Sequence, residues 1–227
     1  MAEENVLSEG ITLYRRRSYK EALAFFLSLP DTVTADSLDL AYYIGLCYMK
    51  LQRYDDALLY LEQVVTAGKN INRILQCRYL LAVIYAMTGR KRLAQFELNK
   101  LLETGYRTAS VYASLAYISW EQDDTDECIE YYKRSLAADP DNLTSLNGLG
   151  YVLACENKDL TAALAYCKKA LDGASDSAAC LDSLGWVYFK LGLMKEAEKY
   201  VKLAAGKDKE NKEIAEHLRL ITESRNI

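Results

Sequence analysis

Along residues 181–188, Leu181, Leu184, Gly185 and Tyr188 fall at i, i+3, i+4 and i+7, so an α-helix gathers them on one face. Thirty-five residues earlier, Gly150 stands in LNGLGYVLA with the same order of leucine, small residue and aromatic. The series continues back through Ala116, Ala82, Gly45 and Gly10, and from the N-terminus its spacings are 35, 37, 34, 34 and 35. A second small residue follows each of these: Ala22, Ala57, Ala94, Cys128 and Ala197 come 12 positions later, and Ala163 comes 13 later. Each unit therefore predicts two short antiparallel helices. Gly89 and Gly192 sit where a first helix should stop, and Gly68, Gly105, Gly173 and Gly206 where a second should, the places for left-handed caps. A glycine inside a helix costs roughly 0.5–1 kcal/mol relative to alanine. Its recurrence predicts a compensating gain, a close crossing of the two helices at the paired small positions.

A period near 34 with a small residue at the eighth place, an aromatic at the eleventh, alanine at the twentieth and proline near the end resembles the tetratricopeptide repeat family. YASLAYISWEQDDTDECIEYYKRSLAADPDN (112–142) and LDSLGWVYFKLGLMKEAEKYVKLAA (181–205) carry the pattern most fully. In this sequence Cys128 replaces the expected alanine, Pro140 alone fills the proline place, and the fifth unit has one extra residue near ENKDL. The resemblance implies an all-α, right-handed α-solenoid of helix pairs. It forms one domain over 1–227, with repeats at about 3–37, 38–74, 75–108, 109–142, 143–177 and 178–211. Residues 208–224, DKENKEIAEHLRLITES, read as an amphipathic capping helix (about 210–224) with His217 on its polar side. The style of the last two repeats resembles bacterial members.

Composition narrows the class. The 227 residues are 51% hydrophobic and 26% charged, and two prolines fit a folded helical chain. The start MAEENVLSEG has no basic region and no apolar run, so a cytoplasmic location is the expectation, with no integral membrane segment in this chain. A signal or anchor removed from a natural precursor would leave the same sequence. Six cysteines at 47, 77, 128, 155, 167 and 180 are scattered without CxxC spacing, and read as buried thiols in a reducing compartment. A net charge of −4 gives no reason to expect a nucleic-acid partner. Residues 109–142 hold eight acidic residues against Lys133 and Arg134, a net of −6, which reads as a solvated face.

The resemblance further implies that first helices line a concave side. The places expected there are Tyr42, Leu46 and Met49, then Tyr79, then Tyr117 and Trp120, then Asn147 and Tyr151, and last Asp182, Trp186 and Phe189. Such a lining suits a peptide segment or helix of another protein, because aromatic rings give rigid contact area with little entropy loss. The function expected is a scaffold or adaptor. The alternative is a structural subunit that self-associates through its solenoid edges, as a homo-oligomer or within a larger cell machine. Relatives that grip a C-terminal carboxylate use Lys and Asn at the fifth and ninth places of their first repeat, where Leu7 and Ile11 stand here. No such clamp is expected.

No enzyme and no catalytic residue is expected, since the only histidine is His217 and no GxxxxGK[ST] loop occurs. No cofactor and no metal is expected either: DDTDE (123–127) lacks the glycine and distal glutamate of a calcium loop. The basic stretches Arg15–Arg17 and Arg90–Arg92 read as solvated turns.

Overall fold

A computed structural model of the chain describes residues 6–30 and 37–225. Thirteen α-helices and no strand occur among the described residues. In chain order they are α1 (Ser8–Arg15), α2 (Tyr19–Ser28), α3 (Ser37–Lys50), α4 (Tyr54–Ala67), α5 (Ile71–Met87), α6 (Lys91–Glu103) and α7 (Ala109–Trp120). They continue with α8 (Thr125–Ala138), α9 (Leu143–Cys155), α10 (Leu160–Gly173), α11 (Ala178–Lys190), α12 (Met194–Lys207) and α13 (Lys212–Arg225). No described helix is long and apolar enough to cross a membrane.

The helices gather into two compact units, Met1–Tyr106 and Arg107–Ile227. In the first, α1 packs on α2, α3 on α4 and α5 on α6, and each pair leans on the next through α2 with α3 and α4 with α5. In the second, the pairs are α7 with α8, α9 with α10 and α11 with α12, joined through α8 with α9 and α10 with α11. There, α9 also touches both α7 and α11, and α13 packs on α12 and α11. The architecture is an all-α helical repeat solenoid.

The small residues sit at the crossings. All twelve (Gly10, Ala22, Gly45, Ala57, Ala82, Ala94, Ala116, Cys128, Gly150, Ala163, Gly185 and Ala197) are buried. At Gly185 a Cβ would collide with Val201 Cγ2 and stand 3.0 Å from Val201 N and 3.2 Å from the Ala197 carbonyl oxygen, so the Val201 side chain and the α12 backbone together leave little room for a side chain. At Gly150 the same atom would stand 2.5 Å from Cys167 Sγ and 2.9 Å from the Ala163 carbonyl. The local helix penalty is offset by backbone approach across the pair.

The turn inside each pair is one motif used six times. Arg17, Gln52, Gly89, Asp123, Asn157 and Gly192 all have positive φ, between 53° and 75°, and each lies seven residues after the first small residue of its unit. The next residue's N–H reaches back five positions, as from Arg53 to the Tyr48 carbonyl (2.9 Å) and from Leu193 to the Tyr188 carbonyl (2.9 Å). That is a Schellman cap, which satisfies carbonyls the helix end would leave bare. Only two of the six places hold glycine. The expected caps at Gly68, Gly173 and Gly206 do not form: Gly68 is extended at φ −68° and ψ 149°, while Gly173 and Gly206 lie inside α10 and α12. Gly105, at φ 82°, does adopt the left-handed conformation. The extra residue of the fifth unit is absorbed at Asp159, which takes φ 36° and caps α10 by accepting from the Ala162 N–H at 3.0 Å.

Gly185→Leu is expected to lower stability by at least about 1–3 kcal/mol, read as a lower urea midpoint, because the α11–α12 crossing has no room. Gln52→Gly works in the other direction. A left-handed conformation costs a non-glycine residue about 1–2 kcal/mol, more than the roughly 0.5–1 kcal/mol of extra chain entropy glycine brings. The midpoint should therefore rise, by up to about 1 kcal/mol in stability.

Candidate functional site

In the Arg107–Ile227 unit, side chains from the first helices converge on one cavity of about 280 Å³. Helical spacing puts them there: Tyr117 and Trp120 are i, i+3 on α7, Asn147 and Tyr151 are i, i+4 on α9, and Asp182 stands near the start of α11. These five were expected to share a lining, and they do. Trp120 and Tyr151 meet edge to face, with ring centroids 6.3 Å apart at 78°. Tyr117 is 49% exposed at the mouth.

The far end of the lining is closed by the chain's own last helix. On α13, Ile214, His217 and Ile221 are buried at i, i+3 and i+7. His217 lies on that buried stripe, which corrects its expected place on the polar face. Its ring stacks on Trp186 at 4.1 Å and 18°, and its Nδ1 hydrogen-bonds Asp182 Oδ2 at 2.8 Å. Trp186 is consequently 9% exposed and offers no open ring to a partner. Phe189, 5.1 Å from Trp186, is half-buried beside it. A histidine covers an aromatic ring and satisfies a buried carboxylate oxygen at once, which explains the choice of residue at 217.

Sequence reasoning did not anticipate Glu121, Tyr132, Asn211 and Glu213 in the wall. The Tyr151 hydroxyl donates to Glu213 Oε1 at 2.6 Å, tying α9 to α13. Burial, and then that carboxylate, hold the Tyr151 phenol well above its ordinary pKa, so it remains a donor. The signal for this tie was the α13 stripe itself, since a helix with Ile214, His217, Leu218 and Ile221 on one face must bury that face against something.

Four of the expected residues belong to the Met1–Tyr106 unit. Tyr42, Leu46, Met49 and Tyr79 are all half-buried. The Tyr42 ring lies under the Arg73 guanidinium at 4.3 Å, its hydroxyl donates to Gln76 Oε1 at 3.2 Å, and Arg73 pairs with Asp39 at 2.7 Å. One face of Tyr42 is thus covered by α5.

The cysteines stand as free thiols, five buried and Cys155 half-buried. Burial pushes Cys47, Cys77, Cys128 and Cys167 up to about 12, which leaves each a small apolar filler rather than a nucleophile. Among the described residues no group of three His, Cys, Asp or Glu side chains is arranged to hold a metal ion.

Three tetratricopeptide repeat models match the chain, over residues 39–67, 113–179 and 178–211, and together they span more than half of it. The chain belongs to the tetratricopeptide repeat family. A TPR repeat-containing protein of Pseudomonas aeruginosa is 36% identical over 83 residues, which are 37% of this chain and 14% of that relative. The chain thus corresponds to a small part of that relative's length. Among solved structures, the Cut9–Hcn1 hetero-tetramer of APC/C superposes on 95% of this repeat protein and 42% of its own chain, at TM-score 0.76 and 14% identity. YrrB, described as a TPR protein with an unusual peptide-binding site, covers 83% of this chain and 91% of its own at TM-score 0.58 and 13% identity. At these identities the likeness is one of fold.

His217→Ala should shift tryptophan emission to the red as Trp186 loses its cover. It should also cost about 1–3 kcal/mol in urea unfolding, because Asp182 Oδ2 is left without its donor.

Proposed function

We propose that this tetratricopeptide repeat protein is a non-enzymatic adaptor that docks a peptide segment or helix of another protein against the aromatic faces of its first helices. The carrying observation is the cavity of the Arg107–Ile227 unit, where Trp120 and Tyr151 form a fixed aromatic corner and Tyr117 opens half its surface to solvent. Rigid rings with a polar tip give affinity at low entropy cost. YrrB, of similar fold, is described as having a peptide-binding site, which supports the same use of the fold here. Chemistry has little to work with: the single histidine is 5% exposed and engaged by Asp182 and Trp186. Scattered buried thiols fit a reducing, cytoplasmic setting.

A second reading draws on one observation of its own. In the Met1–Tyr106 unit, the second helices expose Leu27 (50%), Leu59 (58%) and Phe96 (54%), apolar surface that suits self-association or a place in a larger assembly. Light scattering separates the two: a mass near 25.7 kDa at all concentrations favours the adaptor, and a mass that climbs with concentration favours the subunit.

Tyr117→Ala with Trp120→Ala should reduce partner capture from cell extract at least tenfold, quantified by mass spectrometry, with far-ultraviolet circular dichroism unchanged. Full capture by the folded double variant would remove the groove from consideration.

A further inference from the structure

We propose that the cavity of the Arg107–Ile227 unit is a socket for the guanidinium group of an arginine side chain presented by the docked partner. This rests on the groove reading above and names the chemistry the groove selects. Three carboxyl side chains line the cavity, Glu121, Asp182 and Glu213, and the lining holds no lysine, arginine or histidine. Asp182 carries the argument. Its side chain is 7% exposed, its Oδ2 is held by His217, and its Oδ1 is buried with no hydrogen-bond partner. Asn147 Oδ1, on the neighbouring helix α9, is likewise buried and unpartnered. Trp186 Nε1, one turn along α11, is also buried without a partner and lies outside the lining. A buried acceptor left unmade costs about 1–3 kcal/mol, more when charged, so a ligand that donates to the two oxygens of the lining gains that free energy.

The donor is specified by what surrounds it. A carboxylate beside an amide oxygen favours a cation with several N–H groups, and Trp120 and Tyr151 put aromatic surface into the same lining, which favours a planar cation. Guanidinium meets both conditions: it presents five donors in a rigid fork and is more weakly hydrated than ammonium. About 280 Å³ accommodates a side chain rather than a folded element. The net charge of −6 over residues 109–142, which includes α7 and Glu121, draws a basic segment toward this unit. An acidic cluster alone would be a solvated face. The buried, half-satisfied Asp182 is what makes this one a site.

The test titrates the full chain with N-acetyl-arginine amide and, in parallel, N-acetyl-citrulline amide, which has nearly the same shape without the charge, by calorimetry and tryptophan emission. The arginine amide should bind at least tenfold more tightly than the citrulline amide. Asp182→Asn, in which the amide keeps an acceptor for His217, replaces the other oxygen by an N–H donor and removes the charge, should weaken arginine binding at least tenfold. A preference below tenfold overturns the inference, as does undiminished arginine binding by folded Asp182→Asn. If that variant does not fold, Trp120→Leu takes its place, and arginine affinity that fails to fall at least fivefold overturns the inference. Refusal of the arginine amide by a protein whose partner capture still depends on Tyr117 and Trp120 ends the socket and leaves the groove reading intact. Asp182-dependent arginine binding without such capture sustains the socket and ends the groove reading.

Discussion

The structure depends on backbone coming close to backbone. At Gly185 and Gly150 a Cβ would collide with a side chain of the second helix, Val201 or Cys167, and press on its backbone at 2.9–3.2 Å, so a larger residue fits only if that helix gives way. The crossing fixes which face of the first helix is buried inward, and the remaining face is set by the helical period. Asn147, three residues before Gly150, and Asp182, three before Gly185, stand about 60° round the helix from the crossing, at its flank, and both line the cavity. The position of the site is therefore a consequence of the packing at the small residues. The Schellman turns serve the same end by returning the chain at a constant offset from each crossing.

In the Arg107–Ile227 unit, α13 does more than shield the last pair. Its apolar stripe inserts His217 against Trp186 and Asp182, and its Glu213 accepts from Tyr151. A peripheral helix thus contributes to the wall of the cavity and holds one oxygen of its most buried carboxylate. Its other oxygen, Oδ1, is buried without a hydrogen-bond partner.

Much of this was readable before any coordinates, because a close crossing demands residue types that few other constraints demand. Small residues at fixed offsets located the helix pairs, and the resemblance to tetratricopeptide repeats then implied that Tyr117, Trp120, Asn147, Tyr151 and Asp182 share one lining. The turns were less legible. Four of the six left-handed positions carry Arg, Gln, Asp or Asn, since one strained residue at an exposed place costs little beside a whole crossing. A search for glycine finds two of them and is misled by Gly68, Gly173 and Gly206, which need no positive φ. The engagement of Trp186 was missed for a related reason: histidine is usually surface chemistry, and its place on a buried stripe shows only when Ile214 and Ile221 are weighed with it.

The accommodation at Asp159 has a practical meaning. One added residue in the turn between α9 and α10 changes neither the burial of Gly150 and Ala163 nor the approach between them. The added residue is accommodated within the turn, at Asp159. Exposed turns of this kind are where proteins most readily accept inserted sequence, and here the α10 cap at Asp159 is the contact such an insert has to spare.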